Sequence, residues 1–243
     1  SYDHSDIFAT AAEYQEAFLK FESQSEHLIF GPHANLRHAE LLAEKHPDVV
    51  LMSAKELMLP GEARRLDATL AIKAVQRILE SLGREVNHEE IIEAINQFPG
   101  VGRRFERLAD GLYSDYAHHP EEIRATINVA LEEAKRTQKK GVVILYQPHQ
   151  NIRQHEFFDE YRDIFHGIKK LYWLPTYLSR EDPKLSILNP SDFINSLDNP
   201  EIGTPVELDD TLFAKLRQDL ADNYLVILMS AGDADPWLRQ KFL

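Results

Sequence analysis

Between residues 61 and 83 the chain reads GEARRLDATLAIKAVQRILESLG, with Leu66, Leu70, Val75, Ile78 and Leu82 recurring at about every fourth position. That period predicts a long helix, with Gly83 suited to its carboxyl-terminal cap. NHEEIIEAINQF predicts another, with Asn87 as N-cap and Pro99 and Gly100 ending it. Upstream, AAEYQEAFLKFE and ANLRHAELLAEKH carry the same period. Each leads to a short apolar run, HLIFG and PDVVLMS, that predicts a strand. The first 99 residues therefore read as alternating helix and strand. FPGVGRR then marks a hinge or boundary, and the pattern changes.

Beyond it, RFERLADGLYSDYA predicts two strands around Asp110 and Gly111, a pair that favours a tight hairpin turn. HPEEIRATINVALEEAKR predicts a helix with Pro120, Glu121 and Glu122 in its first turn. Proline lacks no needed donor there, and carboxylates favour the helix dipole. GVVILYQPH predicts a strand that runs into a polar loop. RQHEFFDEYRDIFHGI with KKLYWLP, and TLFAKLRQDLADN with YLVILMSAGDAD, each predict a helix leading into a strand. Continuous runs such as VVIL and LVILM suit a parallel sheet covered on both faces. The fold class is α/β: residues 1–99 form a partial α/β domain, and residues 100–243 a doubly wound, mostly parallel sheet. In such a sheet ligands gather at the carboxyl ends of the strands, where SDYAHHP, YQPHQNIR and MSAGDAD emerge together.

The 243 residues, 43% hydrophobic and 28% charged, are enough for two cores. A net charge of -13 repels a phosphate backbone, so general nucleic-acid binding is not expected. There is no cysteine, which excludes disulfides, thiolate ligands and a cysteine nucleophile. No run approaches the ~18 apolar residues of a membrane span, and SYDHSDIFAT does not read as a signal peptide. A cytoplasmic location is expected.

In YSDYAHHPEEIRAT, Asp115, Tyr116, His118 and His119 stand just before a helix start. A carboxylate and two imidazoles could serve a metal ion, a general base or a ribose diol; a capped turn is the bland alternative. QPHQNIR adds His149 and Arg153, whose fork suits a carboxylate. Trp173 and Trp237 read as core residues, and His33, His38 and His46 as solvated ones. No G-x-G-x-x-G follows a strand, which argues against a dehydrogenase.

LPG at 59–61, FPGVGRRFE, DYAHHPEEI, QPH and SAGD occur in an order that resembles the Mur ligases of peptidoglycan synthesis, in particular those that join L-alanine to UDP-N-acetylmuramate. The resemblance implies ATP-dependent amide formation with Mg²⁺: a carboxylate takes the γ-phosphoryl group, and an amine then displaces phosphate from the acyl phosphate. It assigns nucleotide contacts to Arg104, for phosphate, and Asp115, for ribose. Asp67 stands near the place of an adenine-side Asn. Tyr116, His118 and Arg153 match positions that hold the incoming amino acid, and His4 matches a magnesium ligand. Residues 1–99 then correspond to part of the family's central, ATP-binding domain and residues 100–243 to its carboxyl-terminal domain.

Departures from the family pattern matter equally. No G-x-x-x-x-G-K-[ST] phosphate loop occurs in the sequence, and Gln150 stands where an arginine is common. Asp67, an acceptor only, cannot copy both faces of an amide. The expectation is a carboxyl-terminal piece of a ligase, inactive alone. The alternative is a non-catalytic module that holds a nucleotide or a peptide carboxylate. Asp115 and Arg153 are expected to open onto one cleft with Arg104, His118 to face that cleft, and His119 to pack or cap.

Overall fold

The computed structural model describes residues 7–25, 28–29, 52–53, 55–179 and 181–243. The chain forms two compact units, Ser1–Phe98 and Pro99–Leu243.

In the first unit, helix α1 (Ala11–Ser23) starts at Thr10, whose hydroxyl accepts from Glu13 N at 3.2 Å. Helix α2 (Glu62–Ser81) follows Gly61, and helix α3 (His88–Gln97) begins at Asn87, whose side chain accepts from Glu90 N at 3.3 Å. Leu57, Ala68 and Ile72 are buried against Ile91, Ile92 and Ile95, so α2 and α3 share one small core. Asn96 pins the preceding segment to it, donating to Glu56 O at 3.0 Å and accepting from Met58 N at 2.9 Å. The two strands and the helix expected between residues 27 and 53 fall largely outside the described residues.

The second unit opens with a hairpin, β1 (Glu106–Ala109) and β2 (Leu112–Asp115), turning at Asp110 and Gly111. Gly111 has φ 72°, a left-handed conformation that glycine adopts without steric cost. Helix α4 (Pro120–Arg136) has Pro120 in its first turn and His119 as N-cap. Strand β3 (Val142–Gln147), the short helix α5 (Asn151–Glu156) and strand β4 (Lys170–Trp173) follow. Helix α6 (Pro190–Ser196), strand β5 (Gly203–Pro205), helix α7 (Asp210–Ala221), strand β6 (Leu225–Ser230) and helix α8 (Ala234–Phe242) complete it.

The six strands lie in the order β1-β2-β6-β3-β4-β5, with β1 antiparallel and the rest parallel. Period-2 alternation divides the side chains between two cores. Val142, Ile144, Tyr146, Ile227, Met229 and Trp173 pack with Ile123, Ile127 and Ala130 of α4 and Phe193 of α6. Val143, Leu145, Tyr172, Val226 and Leu228 pack on the other face with Leu212 and Leu216 of α7 and Leu238 of α8. The connection from β2 to β3 skips one place, which β6 fills from the far end of the chain. Connections therefore leave β2 and β3 toward one face and β6 toward the other, the kind of switch point beside which ligands collect in open α/β sheets.

One element departs from its pattern. The helix expected over RQHEFFDEYRDIFHGI covers only Asn151–Glu156, followed by a 3-10 turn at Phe158–Tyr161. Phe, Tyr, His and Asp are indifferent helix formers, so packing decides. Tyr161 is drawn fully into the core, its ring 5.6 Å from both Trp173 and Phe193. The segments α6 and β5 carry too short a pattern to be read in advance.

Burial pushes the Tyr161 phenol up to about 12 and Tyr146 well above its ordinary 10.0. Below pH 10 both hydroxyls are protonated in either state and their contribution is complete. Above it the unfolded chain ionises first, so stability falls as pH rises through the folded values. The urea midpoint at pH 11 is expected to lie below that at pH 9, and equal midpoints would refute the coupling.

Candidate functional site

The turn before β1 is held in a conformation that non-glycine residues avoid: Arg103 has φ 57° and Phe105 φ 48°. Such strain, about 1–3 kcal/mol per residue, persists only where the surroundings over-determine it. Three hydrogen bonds do so here. Arg103 N donates to Glu106 Oε2 at 2.8 Å, Tyr116 N donates to Arg103 O at 2.8 Å, and Phe105 N donates to Asp115 Oδ2 at 2.7 Å.

The strained turn separates two neighbouring arginines. The Arg103 side chain is committed inward, donating to Ser230 O at 2.6 Å with its Nε 3.7 Å from Asp235. Its guanidinium lies 4.6 Å from the centroid of the Tyr116 ring. Arg104 is exposed, its guanidinium 5.7 Å from the same ring. Of the two, Arg104 is the cation presented to solvent beside the carboxyl end of β2.

Aromatic and imidazole rings continue from Tyr116 along the sheet edge. His118 meets Tyr116 edge-on at 5.4 Å and His149 at 5.7 Å, and His149 stacks on Tyr177 at 5.7 Å with 12° between planes. The His118 Nδ1 lies 3.0 Å from Tyr116 O and 3.3 Å from Glu122. Tyr177 is tied by its own backbone: its N donates to Pro148 O at 2.8 Å, and Gln150 N donates to its carbonyl at 2.9 Å. Below it, a Cβ on Gly232 would stand 2.6 Å from Gln147 Oε1 and 2.7 Å from Tyr177 Cγ, so only glycine lets the loop after β6 pass. The sequence pattern alone does not single out Tyr177. Its one signal is that PTYL follows an apolar strand, as QPH and SAGD do.

Asp115 ends β2 and is buried. Besides Phe105 N it accepts from Ala117 N at 2.8 Å and from the Thr126 hydroxyl at 3.3 Å. Burial raises its pKa, against the backbone donors and the charge of Arg104. An ionised carboxylate has about four acceptor positions, and local donors take three. These three donors leave one position unfilled. His119 caps α4: its Nδ1 accepts from Glu121 N at 3.4 Å, its N donates to Glu122 at 3.3 Å, and its ring packs 4.6 Å from Phe157. Arg153 is buried on α5, where its charge acts on the hydroxyls of Tyr146 and Tyr161. The structure thus brings Arg104, Tyr116 and His118 together, sets Asp115 beneath them, and places Arg153 deeper, beside the tyrosines. Asp67 lies on α2 of the first unit, and His4 is outside the described residues. Among the described residues no cluster of three His, Asp or Glu side chains is placed to hold a metal ion.

A mostly parallel six-stranded sheet in this order is the carboxyl-terminal domain fold of the Mur ligases, which the chain resembles in structure and in sequence. Its sequence is 32% identical over 190 residues to UDP-N-acetylmuramate–L-alanine ligase of Campylobacter curvus, covering 74% of this chain and 41% of the relative. The crystal structure of the UDP-N-acetylmuramate-alanine ligase of Thermotoga maritima aligns with a TM-score of 0.62 at 19% identity, covering 98% of this chain and 56% of that one. Folylpolyglutamate synthase of Mycobacterium tuberculosis, complexed with ADP, aligns with a TM-score of 0.50 at 16% identity, covering 72% of this chain and 39% of that one. No family model matches the chain. The chain spans about two fifths of the length of the curated relatives it matches. No helix among the described residues is long and apolar enough to cross a membrane.

Proposed function

We propose that the chain is the carboxyl-terminal part of an ATP-dependent ligase that joins L-alanine to UDP-N-acetylmuramate in the cytoplasm, during peptidoglycan synthesis. The observation that carries this reading is the row of Arg104, Tyr116, His118 and His149 along the carboxyl ends of β2 and β3, on a chain whose sequence relatives are named for that reaction.

ATP, when bound, supplies the phosphoryl group that activates a carboxylate. The residues present fit a nucleotide at this edge: Arg104 offers an exposed guanidinium to phosphate, and Asp115 keeps one acceptor position for a ribose hydroxyl. Tyr116 and His118 form a wall against which a small amino acid is held. Arg153 supplies positive charge from below, attracting its carboxylate. The described residues do not fit Mg²⁺ as a cluster of carboxylates and imidazoles, so no step is assigned to it.

Without a phosphate loop and its lysine, the transferring phosphoryl group lacks most of its charge stabilisation. The purified chain with ATP, Mg²⁺, UDP-N-acetylmuramate and L-alanine is therefore expected to release no phosphate, and turnover near ~1 s⁻¹ would overturn that expectation. Millimolar L-alanine is expected to shift the imidazole NMR signals of His118 and His149 in the wild-type chain, but not in Tyr116→Ala. Wild-type signals unmoved by both L-alanine and ADP would remove the site assignment.

A further inference from the structure

Behind the ring row lies a buried polar chain. Tyr146, in the middle of the sheet, and Tyr161, in the 3-10 turn, are both fully buried with their hydroxyl oxygens 3.1 Å apart. Tyr161 donates to Gln154 Oε1 at 2.8 Å, and Gln154 Nε2 donates to His149 O at 3.2 Å. At the other end the Tyr146 hydroxyl lies 3.5 Å from His118 O. Its single proton is directed to Tyr161, with His118 O as a second, longer acceptor. The chain therefore runs from the carbonyl of one site histidine to the carbonyl of the other, through the aromatic core.

Burial alone does not require this arrangement. Phenylalanine at 146 or 161 and leucine at 154 would fill similar space without polar atoms to satisfy. The hydroxyls and the amide instead tie two loops that leave different strands. His118 follows β2 and His149 follows β3, and β6 lies between those strands, so no ladder hydrogen bond links the two loops directly.

We propose that Tyr146, Tyr161 and Gln154 are positioning residues that hold the loops at 116–119 and 148–150 in register, and so keep the His118 and His149 rings edge to face. The importance of that ring pair rests on the function proposed above, whereas the tether itself is testable without any ligand.

The test is amide hydrogen exchange with mass spectrometry on the wild-type chain, Tyr161→Phe, Gln154→Leu and the double variant. Tyr161→Phe keeps the ring in the core but leaves Gln154 Oε1 without its donor, so the thermal midpoint is expected to fall by only a few degrees. Exchange at both loops should rise about fivefold, the factor that loss of ~1 kcal/mol of hydrogen bonding gives, with the sheet strands unchanged. The double variant should exchange no faster than either single one, because each cuts the same chain. An unchanged loop exchange, an increase spread evenly over the sheet, or additive single effects would overturn the proposal. If Gln154→Leu does not fold, the two loops of Tyr161→Phe decide alone. A wild-type chain that ignores L-alanine while Tyr161→Phe loosens both loops would retain the tether and reject the ligand reading.

Discussion

Asp235→Ala is expected to lower the stability of the carboxyl-terminal unit by about 2–4 kcal/mol, read as a shift in urea midpoint. Asp235 is the buried centre of a network: it accepts from the Ser114 hydroxyl of β2 and from Arg239 Nε at 2.9 Å, with Arg103 Nε at 3.7 Å. Truncation leaves the buried Ser114 hydroxyl without its acceptor and removes the carboxylate facing two guanidiniums. The figure lies below that of a wholly buried pair because Arg239 is 31% exposed and keeps Glu106 as a partner.

The pH dependence of the same variant has a definite sign. Burial alone would raise the Asp235 pKa, but Arg239 and Ser114 outweigh it and hold the folded value below the ordinary 3.8. A depressed carboxylate contributes above its unfolded pKa, and the contribution is lost as pH falls through the folded value. The gap between wild type and Asp235→Ala should therefore be full at pH 6 and narrow toward pH 3. A gap that is constant or grows on acidification would show that the loss is packing rather than charge. Because Arg103 loses one anchor, the strained turn at 103–105 should also exchange its amides faster.

Trp173→Ala is expected to cost more, about 3–5 kcal/mol, which can unfold a domain of this size outright. Trp173 is fully buried at the carboxyl end of β4. It stacks on Phe193 at 5.0 Å and meets Tyr146, Phe165 and Tyr161 edge-on at 5.0, 5.5 and 5.6 Å. Its removal leaves a cavity that four rigid rings cannot close without leaving their rotamers. Trp173→Phe, which keeps part of that volume, should recover a good share of the loss. A stability loss below ~1 kcal/mol for Trp173→Ala would show instead that the aromatic cluster collapses freely into the space. The cluster also carries Tyr146 and Tyr161, so partial unfolding here should release the His118 and His149 loops before the far edge of the sheet.

Features legible in the sequence share one property: their causes are local. Asp110 and Gly111 turn the first hairpin because glycine reaches the left-handed conformation. Asn87 begins α3 because its side chain reaches forward three residues to accept from Glu90 N, and Pro120 begins α4 because it lacks only a donor that a helix start cannot use. The runs VVILYQ and LVILMS became fully buried parallel strands because both faces demand apolar side chains. That much also placed SDYAHHP, QPHQNIR and MSAGDAD at one edge, since parallel strands point their carboxyl ends the same way.

Only the tertiary structure decided how those loops are used. Two adjacent arginines are equivalent in sequence, yet Arg103 is turned inward and Arg104 outward by a strained turn whose holding bonds come from Glu106, Asp115 and Tyr116. Asp115 reads as a ligand acceptor in its motif, but Phe105, Ala117 and Thr126 spend most of its acceptor capacity locally. The apolar period through Phe157, Phe158, Tyr161 and Phe165 is helical, and the packing of Tyr161 beside Trp173 overrides it. Insertion of β6 between β2 and β3 joins residues more than a hundred positions apart in sequence, such as Leu112 and Val226. Short-range propensities, worth fractions of a kcal/mol per residue, determine where elements start and stop. Partner choice across such distances depends on which whole surfaces exclude water together, and that is a property of the folded chain rather than of any stretch of it.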